Sequence, residues 1–92
     1  MKLSDLTPAR LVMNEPVALP ETDLTVTLLD YRYNRKHGGQ LSAWASLRIA
    51  RGDEQVEPGR WKFSETREVL GHRLHVRGSR SEVLLYALPE MD

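Results

Sequence analysis

The sequence predicts an all-β protein, a small antiparallel β-barrel or β-sandwich of six to seven short strands with a minor helical turn at the N-terminus. Three observations predict it. Turn-forming residues recur along the chain at Asn14-Glu15-Pro16, Leu19-Pro20-Glu21, Gly38-Gly39, Arg51-Gly52-Asp53, Pro58-Gly59, Leu70-Gly71 and Gly78-Ser79. The runs between them are short and rich in Val, Leu, Thr, Tyr and Trp. Within those runs apolar and polar residues alternate with the period of two that a half-buried strand imposes.

The opening LSDLTPAR can form one helical turn over residues 4–9, with Ser4 as its cap, before Pro8 ends it. Strands are then expected at 10–13, 17–19, 24–33, 41–51, 60–64, 72–77 and 82–88. Leu24, Val26 and Leu28 have the opposite parity to Leu29, Tyr31 and Tyr33. That phase switch within one run predicts a β-bulge or a passage between sheets.

A two-residue loop at Gly38-Gly39 would set Asp30 and Arg32 on the face of Ala43, Ala45 and Leu47, burying two charges. An odd loop, His37-Gly38-Gly39, sets Leu29, Tyr31 and Tyr33 on that apolar face and Asp30, Arg32, Asn34, Ser42, Trp44, Ser46 and Arg48 on the other. In the 60–64 strand Trp61 and Phe63 point inward. The last hairpin reads as a type II′ turn at Gly78-Ser79, which pairs Leu74 with Val83 and His75 with Glu82. Leu74, Val76, Val83, Leu85 and Ala87 then share one face, and Leu84, Tyr86 and Leu88 on the other predict a final strand buried on both sides.

Ninety-two residues fit a single small β domain spanning 1–92. With no cysteine, the chain has no disulfide, thiolate metal site or cysteine nucleophile. No apolar run has the length of a signal peptide or membrane span, so no membrane association and a cytoplasmic location are expected. Net charge is zero but unevenly spread: −3 over residues 1–30, +6 over 31–81 and −3 over 82–92. A neutral chain argues against wholesale nucleic-acid binding, whose affinity scales with the phosphates neutralised, while the basic middle leaves a local anionic partner open.

Trp44 is the odd residue of the polar face. Arg32 is expected opposite it and Arg48 on the same face, so an accessible ring framed by arginines could stack on a partner group. The alternative is that a second sheet or the N-terminal segment covers the ring. Arg35 and Lys36, with Arg32, would steer an acidic partner at the hairpin tip, or simply solvate it and deter edge aggregation. His72 and His75 are three apart, which on a strand puts them on opposite faces, so no metal site is expected.

No nucleophile elbow, P-loop or dinucleotide fingerprint occurs, and no cofactor is expected. The Arg51-Gly52-Asp53 tripeptide is ordinary turn chemistry. The expected function is a non-catalytic binding module or accessory subunit that contacts another protein, of acidic or mixed surface, through a sheet face. Its binding residues would be Arg32, Trp44, Arg48, Arg35 and Lys36. The alternative is an OB-like single-stranded nucleic-acid-binding domain with Trp44 as stacking platform. A small enzyme comes third.

Overall fold

The computed structural model describes residues 6–35 and 41–89. They form nine strands: β1 (Ala9–Leu11), β2 (Pro16–Ala18), β3 (Thr25–Arg35), β4 (Leu41–Arg51), β5 (Glu54–Gln55), β6 (Gly59–Lys62), β7 (Thr66–Val69), β8 (His72–Gly78) and β9 (Val83–Leu88). No helix occurs among the described residues. The turn expected near the N-terminus is not seen from Leu6 onward, where Pro8 leads directly into β1, and Ser4 lies outside the described residues.

Two antiparallel sheets pack face to face. One has the order β1-β9-β8-β7, and the other runs β2-β3-β4-β5 with β6 also paired to β4. No ladder among the described residues joins the two sheets into a closed ring, and their arrangement is sandwich-like.

The core follows the expected parities. Leu24, Val26, Leu28, Ala45, Leu47 and Ile49 from one sheet meet Leu74, Val76, Val83 and Leu85 from the other, all at most 3% exposed. Trp61 joins them at 3%. The phase switch in β3 is a bulge between Leu28 and Asp30. Past it the register is the one that an odd loop demands, with Arg32 opposite Trp44 and Tyr33 opposite Ala43. Leu29, expected on the apolar face, is instead the extra residue of the bulge and is only half-buried.

Three further expectations are corrected. The 72–88 hairpin pairs Gly78 with Val83, Val76 with Leu85 and His75 with Tyr86, four residues along β9 from the expected register. The reason is Phe63, whose ring lies against Gly78 where a side chain would be. Gly78 therefore stays in the strand with no positive φ, and the turn moves to residues 79–82, where the Ser79 N–H donates to the Glu82 carbonyl at 2.9 Å. Because the shift is even, every inward residue stays inward.

Next, β5 and β7 are extra strands, and β7 is joined to β8 by the tight turn at Leu70 (φ 49°) and Gly71 (φ 83°), the positive pair of a type I′ turn. Finally, the outer side of β9 is less closed than expected: Tyr86 is buried at 9% but Leu84 and Leu88 are half-exposed.

The chain changes sheets after β6. Phe63 still bonds β4, its N–H donating to the Ala43 carbonyl at 3.3 Å, whereas the Ser64 N–H reaches the Val76 carbonyl of β8 at 2.7 Å. Ser64 takes a left-handed φ of 73° to make that corner. Arg67 seals the seam beside it, placing its guanidinium 4.9 Å from the Trp61 ring centre, pairing with Glu65 and donating to the Arg60 carbonyl at 2.8 Å.

Candidate functional site

Trp44 projects from the middle of β4 on the side away from the core. Its neighbours are fixed by two ladders. β3 sets Arg32 opposite it, and β6 sets Lys62 opposite it with Arg60 opposite Ser46, one diagonal step away. The guanidinium of Arg60 lies 3.9 Å from the Trp44 ring centre and that of Arg32 lies at 5.9 Å. The ring is half-buried, and its cover comes from these cations on both flanking strands, not from the other sheet. A guanidinium at that distance from an indole is held by the quadrupole of the ring, about 0.5–1 kcal/mol at an exposed site.

The same face carries Arg48, further along β4 opposite Thr27. It is exposed, and no cation–π contact joins it to Trp44. Arg48 therefore adds charge to the face but is no part of the ring cluster. Lys36 and the side chain of Arg35 lie outside the described residues. Two members that the sequence reading did not assign to the site, Arg60 and Lys62, are brought in by the β4–β6 pairing. Their outward direction was legible from the alternation Arg60-Trp61-Lys62-Phe63, but their neighbour was not.

From Arg32, Arg48, Arg60 and Lys62 against Asp30, the described part of the face is basic. Glu65 lies near its margin but is spoken for. Its partial burial by itself raises the carboxyl pKa, yet the hydrogen bond from Arg67, the backbone N–H of Lys62 and the charges of Arg67 and Lys62 outweigh that and hold it below its ordinary 4.5.

Beside Trp44 an open groove of about 700 Å³ runs over the sheet edge between Tyr33, Ala43, Arg60, Lys62 and Phe63, with Gly78 of the opposite sheet in its wall. Tyr33 and Phe63 meet at 6.1 Å between ring centres, tilted by 31°. One side of the groove is thus cationic and the other aromatic.

His75, His72 and Arg51 make contacts within the fold. His75 donates to or accepts from Thr66 Oγ1 at 2.8 Å and faces Tyr86, so the expected His75–Glu82 pair is not formed. Burial, and then the charge of Arg77, lower its pKa below the ordinary 6.5. His72 meets Asp23 at 3.3 Å. Arg51, of the turn tripeptide, is tied to the Leu70 carbonyl, to Asp23 and to Glu54. Among the described residues no three His, Asp or Glu side chains stand close enough to share a metal ion. No family model, curated protein or solved structure matches the chain.

Proposed function

We propose that the protein is a non-catalytic binding module whose outer β3–β4–β6 face docks an acidic surface of another protein. The observation that supports the reading best is the Arg60–Trp44–Arg32 arrangement, in which the indole holds two guanidinium groups that no carboxylate of the described face neutralises. Arginines preset in this way lose less freedom when they fork onto carboxylates. Lys62 adds a third positive charge, and the Tyr33–Phe63 side of the groove offers an apolar seat for one partner side chain. Aromatic and arginine anchors of this kind dominate the affinity of protein interfaces.

Single-stranded nucleic acid is a weaker fit. A base can stack on Trp44 only after Arg60, 3.9 Å from the ring centre, has moved away. The test begins by capturing partners from the native host with wild-type bait and with Trp44→Ala and Arg60→Glu baits. Titrations with the purified partner follow. Trp44→Ala is expected to weaken binding by about 2 kcal/mol or more. Arg60→Glu should slow association and reduce its salt dependence. Retention of unrelated single-stranded oligonucleotides, with affinity falling linearly in log salt, would overturn the protein reading in favour of nucleic acid.

A further inference from the structure

The side of β3 turned away from β4 has no strand neighbour over residues 30–35 among the described residues. β2 pairs with β3 only up to Thr27, and Met13 and Asn14 close the edge at Leu28, where the Asn14 N–H donates to the Leu28 carbonyl at 2.8 Å. Beyond that point the direction of the backbone groups follows from the other side of the sheet. The Ala43 carbonyl accepts from Phe63, so it points to β6 and away from β3. Ala43 pairs with Tyr33, which makes that pair a non-hydrogen-bonded one and turns the Tyr33 N–H and C=O to the open edge. Tyr31, two residues earlier past the bulge, has the same orientation. Its N–H donates to Oδ1 of Asp30 at 2.8 Å, so a neighbouring carboxylate folds back over the edge.

Next to this edge lies an apolar groove of about 540 Å³ lined by Val12, Met13, Leu28, Tyr31 and Val83, among others. Val12 and Met13, 46% and 40% exposed, are the large apolar side chains left in solvent among the described residues. Edge and groove thus lie together.

We propose that the open β3 edge accepts an extended segment of a partner protein as an additional strand, its alternate apolar side chains entering the Val12–Met13–Tyr31 groove and an acidic side chain facing Arg32. The outward backbone pairs select a main chain in extended form, because it alone repeats donors and acceptors at strand spacing. The groove selects apolar side chains on one face of that strand. Arg32, on the outer face of β3 beside the edge, selects the acid on the other. Asp30 is the guard of the edge. Its carboxylate satisfies the Tyr31 N–H in the free protein, which blunts pairing between copies, and it swings aside when a strand adds. The edge shares Arg32 with the Trp44 face, which lies across β3 toward β4 and β6, but its backbone pairs and its groove are separate from that face.

The experiment is an amide-resolved NMR titration of the full chain with the acetylated peptide Val-Thr-Val-Glu-Val-Thr-Val and with its counterpart bearing Lys for Glu. The glutamate peptide is expected to shift the Tyr31 and Tyr33 amides, protect them from exchange, and bind about two- to five-fold more tightly than the lysine peptide. Asp30→Ala should tighten the glutamate peptide by about five-fold by removing the internal competitor. Met13→Ser, at an exposed position, should weaken it while leaving the melting temperature in place. Unchanged Tyr31 and Tyr33 amides with either peptide would overturn the proposal, as would shifts confined to Trp44 and Arg60. Protection of the same amides without peptide, together with a dimer in sedimentation, would assign the edge to a second copy and also overturn it.

Discussion

Gly78→Ala tests the contact that sets the register of the last hairpin. A Cβ built on Gly78 stands 2.5 Å from Phe63 Cζ, 2.6 Å from Cε2 and 3.0 Å from Cε1. Carbon atoms rest at about 3.5–4.0 Å, so the ring must retreat by about 1 Å. Phe63 packs on the core and against Tyr33, and overpacking of such a site costs about 1–3 kcal/mol. Gly78 has no positive φ, so alanine suits the backbone and returns about 0.4–1 kcal/mol through the unfolded chain. The net expectation is a loss of about 0.5–2 kcal/mol. At about 4–8 °C per kcal/mol for a domain of this size, the melting temperature falls by about 2–16 °C. The assay is chemical and thermal unfolding of Gly78→Ala, Phe63→Leu and the double variant. Because leucine withdraws the ring atoms concerned, Gly78→Ala should cost little in the Phe63→Leu background, giving a coupling of about 1 kcal/mol or more. A Gly78→Ala protein as stable as wild type, or equal losses in both backgrounds, would refute the account of the register.

Two other outcomes follow from the packing. Trp61, 3% exposed beneath Arg67, is expected to cost about 3–5 kcal/mol on truncation to alanine, measured by urea unfolding, whereas Trp44→Ala should cost far less. The fold lowers the pKa of His75, first by burial and then through Arg77, so the unfolded chain binds more protons in the window just below 6.5. Stability contributed by neutral His75 is therefore complete above 6.5 and declines as pH falls from there through the folded pKa; a pH series of unfolding curves should show that decline in wild type and lose it in His75→Gln.

The proposed face and the proposed edge share one strand but divide its atoms. Outward side chains of β3 serve the face and the main chain of Tyr31 and Tyr33 serves the edge, Arg32 alone being common to both. A partner could therefore occupy the edge with a strand and reach over Arg32 to the Trp44 cluster. The two sets of variants, Trp44 and Arg60 against Met13 and Asp30, separate the two contributions.

The all-β class, the phase switch in β3, the pairing of Arg32 with Trp44 and the inward set of the last hairpin were all determined by sequence alone, while the structure made the switch a bulge. The physical reason is the two-residue period of strands: one face must be apolar, and a slip by one residue would bury Asp30 and Arg32. The same period explains the hairpin that the sequence misplaced. A shift of four residues leaves Leu74, Val76, Val83 and Leu85 inward, so the hydrophobic pattern cannot distinguish the registers; the Phe63 ring against Gly78 does. β7 escaped notice because three of its four residues are exposed and no alternation marks it. At the candidate site, Trp44, Arg32 and the outward turn of Arg60 were legible, but the placing of Arg60 over the indole was not. That contact depends on which strand pairs with the free side of β4, and strand order is settled by how two sheets close over a shared core, not by the residues of either strand.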